Sequence, residues 1–131
     1  MKWNKGFTLV ELLGVIIVIA VVALIASPIA LNVMNKSKEK SFALEMENLV
    51  KAARHYYSKQ QLEISSNVIF DYQNNGKNSA GETLSLSGSR PKRGTVTITP
   101  TGEIILTNVG NGTYVANFNS EFDDEIKITK E

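Results

Sequence analysis

Lys5–Glu11, with the sequence Lys-Gly-Phe-Thr-Leu-Val-Glu, stands at the head of an apolar run that continues to Ala26. Of the 20 residues from Phe7 to Ala26, all except one threonine, one glutamate and one glycine are plainly hydrophobic. An α-helix of about 20 residues spans about 30 Å, which is the thickness of the hydrocarbon core of a bilayer. The sequence therefore predicts a membrane-spanning helix that begins close to the amino terminus.

Glu11 is the only charged residue between Gly6 and Lys36. A carboxylate is costly in lipid, so it requires either a partner or a proton. Thr8 and Glu11 also fit the capping-box pattern Thr-x-x-Glu of a helix start, which would explain the carboxylate without any role in assembly. The two interpretations are compatible, because a cap made within one molecule can be exchanged for a partner on another.

The lysine and glycine before Phe7, the apolar run and the early glutamate closely resemble the amino-terminal signature of type IV pilins and pseudopilins. The resemblance ends near Lys40. It implies that a prepilin peptidase cleaves after Gly6 and then methylates the new terminal amine on Phe7. It also implies that Glu11 neutralises this amine when the membrane-embedded assembly machinery builds a homo-oligomeric filament.

Two other kinds of amino-terminal segment stay open. The leader Met1–Gly6, with Lys2 and Lys5, could be the positive region of an ordinary secretory signal peptide, with a small-residue cleavage site in Ala23–Ser27. The glutamate and the length of the apolar run argue against this interpretation. An uncleaved single-span anchor is the other alternative.

Lysines flank the apolar run on both sides, so counting positive charges does not orient the span. The resemblance implies a single pass through the cytoplasmic membrane, with the amino terminus inside and the carboxy-terminal domain outside. It further implies that the subunit later enters a filament at the cell surface or in the envelope.

The helix is predicted to run from about Thr8 to about Gln60, roughly 80 Å, with a bend at Pro28. Many pilins have a proline at this position, where their helix curves. Beyond Pro28 the pattern becomes amphipathic, because apolar residues recur three and four positions apart. This apolar stripe consists of Phe42, Ala43, Met46, Leu49, Val50, Ala53, Tyr56 and Tyr57.

After the helix the composition shifts to serine, asparagine, glycine and threonine, and alternating segments predict a small sheet. The predicted strands are Val68–Tyr72, Thr83–Leu86, Thr95–Thr99, Glu103–Thr107, Thr113–Phe118 and Glu125–Thr129. The fold class is therefore α+β, with a long bent helix packed on a mostly antiparallel sheet of three to five strands. The predicted domains are the leader 1–6, the membrane and filament-core helix 7–30, the amphipathic half 31–61 and the head 62–131.

The net charge and the absence of cysteine bear on the kind of function. The formal net charge is +1, and removal of the leader would leave 12 basic and 13 acidic residues, a charge of −1. Such a balance gives no general argument for binding nucleic acid. The chain has no cysteine, whereas many Gram-negative pilins close a carboxy-terminal loop with a disulfide. This departure favours a pseudopilin or a Gram-positive pilin.

No catalytic, cofactor or metal site is predicted. His55 is the only histidine, and without cysteine the common catalytic triads are excluded. With no second histidine or cysteine beside it, a structural or surface role for His55 is favoured over metal binding. The acidic residues Glu121 and Asp123–Glu125 suit calcium chemically, but they lack an ordered ligand spacing, and a solvated loop explains them better. Arg90, Lys92 and Arg93 could touch DNA phosphates, but three basic residues in a loop are more often only solvated.

The sequence thus favours a structural, non-enzymatic filament subunit. Two alternatives remain: a pseudopilin of a type II secretion or DNA-uptake system, and a membrane-anchored or secreted binding module.

Overall fold

The computed structural model describes residues 5–60 and 63–131. They form the helix α1 and five strands, which span Leu9–Gln60 (α1), Val68–Asp71 (β1), Arg93–Ile98 (β2), Ile104–Gly110 (β3), Tyr114–Asn119 (β4) and Lys127–Lys130 (β5). The chain divides into two compact units between Lys38 and Glu39. The leader residues 1–4, and Leu62 at the predicted start of the head, lie outside the described residues.

In the amino-terminal unit, α1 continues through Pro28 without interruption. Proline has no N–H, so the carbonyl of Leu24 loses its usual helical partner. One residue earlier, the Ser27 hydroxyl donates a hydrogen bond of 2.7 Å to the carbonyl of Ala23. The predicted helix from about Thr8 to Gln60 is confirmed, while the bend at Pro28 stays a prediction.

The carboxy-terminal unit, residues 39–131, contains a five-stranded sheet in the order β1-β2-β3-β4-β5. Every neighbouring pair is antiparallel, so the chain meanders from one edge of the sheet to the other. The predicted α+β architecture, a helix packed on an antiparallel sheet, is confirmed. The sheet has five strands, which is the upper end of the predicted range of three to five.

The core of this unit lies between the helix stripe and one face of the sheet. Phe42, Met46 and Leu49 are each 1 % exposed. The ring of Phe42 stacks on Tyr114 with centroids 5.8 Å apart, and Tyr56 meets Phe70 edge to face at 5.0 Å. The sheet contributes the buried residues Phe70, Val96, Ile98, Ile104, Leu106, Val109, Ala116 and Phe118. This alternation leaves the opposite face of the sheet to polar residues such as threonine and asparagine.

Two glycines permit close contacts that a side chain would prevent. Gly94 has φ +92° at the bulge between β2 and β3, and a Cβ there would lie 2.4 Å from the carbonyl oxygen of Asn108. Gly102, also at φ +92°, ends the turn between β2 and β3, where a Cβ would lie 2.8 Å from the ring of Tyr57. Glycine adopts this left-handed region without steric cost.

The strand predicted at Thr83–Leu86 is wrong. Thr83 forms only an isolated bridge with Lys77, although Leu84 is buried. The alternating pattern reflects the burial of a loop against the core, with no neighbouring strand to form a ladder. Elsewhere the predicted strands exist but their ends shift: Tyr72 belongs to a 3-10 turn, and β3 continues to Gly110 past an irregularity in its pairing with β4.

Candidate functional site: the amino-terminal segment

The predicted cleavage point lies in the short segment that precedes α1. Residues 5–8 have no regular secondary structure, and α1 begins at Leu9. Phe7 is 91 % exposed, and a Cβ placed on Gly6 would meet nothing within 4 Å. The bond between Gly6 and Phe7 is therefore in a segment that an enzyme can approach. Lys2 and Trp3 of the leader lie outside the described residues.

Thr8 and Glu11 form the capping box that their spacing predicts. The amide of Thr8 donates to Oε2 of Glu11 at 3.0 Å, and the amide of Glu11 donates to Oγ1 of Thr8 at 3.2 Å. These bonds satisfy two of the backbone donors that a helix start leaves unpaired. Both residues are exposed, so the carboxylate can exchange the Thr8 amide for a stronger, charged donor.

An apolar surface surrounds this carboxylate on α1. Each large apolar side chain from Phe7 to Met34 is at least 51 % exposed. By length and composition α1 is able to cross a membrane. Soluble proteins rarely leave so large a continuous apolar surface in water, so this part of α1 is suited to an environment of lipid or of other helices.

The acidic residues weighed as calcium ligands lie in the loop between β4 and β5. The carboxylate of Asp123 accepts from Lys127 Nζ at 2.6 Å and from the Asn119 amide at 2.9 Å. These hydrogen bonds, that from Lys127 first, lower the pKa of Asp123. Within residues 5–60 and 63–131, no three His, Cys, Asp or Glu side chains are grouped so that they could hold a metal ion.

The basic residues weighed as DNA contacts lie before and at the start of β2. Arg90, Lys92 and Arg93 are exposed, while Pro91 between them is buried. Arg93 forms an ion pair with Glu131. His55 is exposed on α1. The sequence favoured solvation for the three basic residues and a structural or surface role for His55, and the exposure of all four is compatible with both.

One polar cluster was missed by the sequence analysis. The Tyr56 hydroxyl donates to Glu82 Oε2 at 2.5 Å, and the amide of Asn78 donates to the same oxygen at 3.2 Å. Burial, followed by the nearby Glu82 carboxylate, raises the pKa of Tyr56 to about 12. These hydrogen bonds hold the loop after β1 against α1. No local pattern signals it, because Tyr56 and Glu82 are 26 positions apart.

Comparison with known families agrees with the geometry of the amino-terminal segment. Residues 4–27 match the prokaryotic N-terminal methylation motif, which is the prepilin signature of type IV pilins and pseudopilins. The motif indicates a structural rather than an enzymatic subunit and a substrate of prepilin peptidase. No curated protein and no solved structure matches the chain.

Proposed function

We propose that this protein is a structural subunit of a type IV pilus-like filament. It is made as a precursor, cleaved by prepilin peptidase between Gly6 and Phe7, and methylated on the new amine of Phe7. The subunit waits in the cytoplasmic membrane with residues 62–131 outside, and then enters the filament through its amino-terminal helix. Residues 7–30 form the filament core, and residues 31–61 carry the stripe that packs on the sheet.

The observation that carries this proposal is the exposed apolar surface of α1 with a single carboxylate near its start. Lipid covers this surface before assembly, and neighbouring copies of the same helix cover it afterwards. Glu11 lies where the helix begins, four positions after Phe7. A cleaved subunit therefore has a positive amine and a negative carboxylate at the same end of the apolar part of α1.

The charges explain how subunits find a common register. An unpaired charge in an apolar bundle is costly, and pairing the amine of one subunit with Glu11 of another removes both costs together. Methylation leaves the amine positive. An incoming subunit therefore settles where its Phe7 amine reaches a neighbour's carboxylate, and the contact with the Thr8 amide is exchanged for this charged pair.

A pseudopilin of a secretion or DNA-uptake system is the second candidate. The chain has no cysteine, so it cannot form the carboxy-terminal disulfide of many Gram-negative pilins. The same processing and the same helix bundling would operate in that case, and the filament would be a short one in the envelope.

Substitutions at Glu11 separate its charge from its role as a helix cap. Glutamine also serves in a capping box, so Glu11→Gln keeps the cap and removes the charge. Glu11→Gln and Glu11→Val should therefore insert and be cleaved normally but yield few or no filaments. Thr8→Ala, which removes the cap hydroxyl and keeps the carboxylate, is the matched control and should still assemble.

The measurement combines an immunoblot for precursor and mature sizes with recovery of sheared filaments. Gly6→Val should block cleavage and leave Lys2 and Lys5 attached, which gives the reference for unprocessed protein. Wild-type amounts of filament from Glu11→Gln would limit Glu11 to capping the helix. Absence of filaments from the wild-type chain in its native host would overturn the filament proposal itself.

A further inference from the structure

The carboxy-terminal unit has one end at which α1 enters it and another at which α1 leaves it. Near the entry, the ring of Phe42 stacks on Tyr114 with centroids 5.8 Å apart. Near the exit, the Tyr57 hydroxyl donates to the carbonyl of Pro100 at 3.1 Å. Tyr114 starts β4, and Pro100 lies in the turn that follows β2. These two contacts determine which parts of the sheet lie at each end.

Four strand ends lie together on the side of Tyr114. Tyr114 at the start of β4 pairs with Lys130 at the end of β5. Gly110 ends β3, one short hairpin before Tyr114, and pairs with Arg93 at the start of β2. The Lys92 amide donates to the carbonyl of Gly110 at 2.8 Å. We call these four strand ends, with residues 39–42 of α1 and residues 90–92, the entry end of the unit.

The entry end contains basic side chains that form no ion pair within the described part of the chain. All of them are exposed, and they are Lys40, Arg90, Lys92 and Lys130. Arg93 is the exception, because it is paired with Glu131.

Few acidic groups offset these charges. Glu131 is occupied by its pair with Arg93. Asp71, beside β2, forms an isolated bridge with Lys77, so these two side chains add one charge of each sign. Glu39 is the remaining acidic residue of the entry end. Four basic residues without an ion pair, against Glu39, leave this end with a net charge of +3, whereas the whole chain has a formal net charge of +1.

The entry end is also the end that the apolar part of α1 reaches. Met34 is the last exposed apolar residue before the unit, and Phe42 is the first buried residue of α1. Eight residues of helix rise about 12 Å, so this is the length of the tether between the two. Headgroups extend about 5–7 Å beyond the hydrocarbon core, and the potential of a charged surface acts over about 8 Å at physiological ionic strength. If Met34 lies at the edge of the hydrocarbon core, the entry end is within reach of that potential.

We propose that the entry end binds the anionic headgroups of the membrane that holds the apolar part of α1. This inference rests on the proposed placement of α1 in the cytoplasmic membrane, and it names a contact of the subunit before it enters a filament. A membrane is favoured over nucleic acid because the short tether keeps this end near a lipid surface, whereas the nearly neutral chain as a whole has little attraction for free DNA. Each basic side chain near an anionic lipid surface favours the contact by about fivefold.

Fluorescence quenching in the full-length chain tests the contact, because the protein has no cysteine of its own and one thiol can be placed at will. Ser89→Cys, exposed beside Arg90, receives a thiol-reactive fluorophore. The labelled chain is reconstituted in vesicles of phosphatidylcholine with or without phosphatidylglycerol, each containing a lipid with a nitroxide on its headgroup. Thr101→Cys, exposed in the turn at the exit end, is the matched position.

The label on Ser89→Cys should be quenched more strongly when phosphatidylglycerol is present, whereas the label on Thr101→Cys should not respond to it. The difference should disappear in 1 M salt, where the Debye length falls to about 3 Å.

Charge reversal identifies the residues responsible. Arg90→Glu with Lys92→Glu, in the labelled Ser89→Cys chain, should lower the ratio of bound to free entry ends at least about tenfold. Lys51→Glu with Arg54→Glu changes the net charge by the same amount at exposed positions of α1 beyond the entry end. This control should leave the response to phosphatidylglycerol unchanged.

The outcomes distinguish this proposal from the filament function. Equal quenching of the Ser89→Cys label with and without phosphatidylglycerol overturns the contact, as does an equal loss in the Lys51→Glu with Arg54→Glu control. Quenching that ignores phosphatidylglycerol, combined with binding of duplex DNA that Arg90→Glu with Lys92→Glu abolishes, assigns the entry end to nucleic acid and also overturns the contact. A wild-type chain whose entry end responds to phosphatidylglycerol but which forms no filaments in its native host supports the contact and overturns only the filament function.

Discussion

Replacing Leu49 by alanine should strongly destabilise the carboxy-terminal unit, whereas the same change at Leu44 should have little effect. The two residues lie on α1 little more than one turn apart, but Leu49 is 1 % exposed and Leu44 is 59 % exposed. Truncation of a buried leucine removes its transfer free energy and leaves a cavity, which together cost about 2–5 kcal/mol. Changes at exposed positions usually stay within about 0.5 kcal/mol.

The expected shift is large enough to measure in detergent with the whole mature chain. For a unit the size of residues 39–131, each kcal/mol lowers the melting temperature by about 4–8 °C, so a loss of about 3 kcal/mol lowers it by roughly 12–24 °C. The four tyrosines all lie in this unit, so near-ultraviolet circular dichroism of the mature protein reports on its packing. Similar melting temperatures for Leu49→Ala and Leu44→Ala would refute the argument that the helix stripe forms half of the core.

Three further predictions concern processing, independence of the units and pH. Trp3 is the only tryptophan, so the mature protein should lack tryptophan fluorescence and show by mass spectrometry the loss of Met1–Gly6 and one added methyl group. Retained fluorescence would contradict cleavage after Gly6. A fragment that starts at Lys36 should be soluble and folded, whereas one that starts at Leu62 lacks the helix stripe and should aggregate. Equal folding of the two fragments would exclude a core between the helix and the sheet. The hydrogen bond from Tyr56, with that from Asn78, lowers the pKa of Glu82. The ionised carboxylate therefore stabilises the fold above its unfolded pKa of about 4.3. This stabilisation is lost as the pH falls through the lower pKa of the folded state. Tyr56→Phe should therefore flatten the acid limb of stability measured by urea unfolding, and an unchanged limb would show that the contact contributes nothing.

The amino-terminal segment could be predicted from the sequence because its structure depends on neighbours in the chain. The capping box joins Thr8 to Glu11 across three positions, and helical hydrogen bonds join residues four apart. The apolar run needs no tertiary partner to form a helix in lipid, since helical hydrogen bonds within the run satisfy its interior backbone groups except the Leu24 carbonyl opposite Pro28. The buried stripe that includes Phe42, Met46 and Leu49 was also predicted, because a helical period of 3.6 residues places these side chains on one face.

Tertiary structure alone decided the features that depend on distant residues. Thr83–Leu86 alternates like a strand, but no neighbouring strand completes a ladder there, so Leu84 is buried from a loop. The bond between Tyr56 and Glu82 likewise requires a loop to return to α1. The charges of Arg90, Lys92 and Arg93 and of the acidic residues 121–125 are plain in the sequence, yet only the antiparallel register sets these two segments at opposite ends of the sheet. Strand pairing fixes which loops share an end, and composition carries no such information.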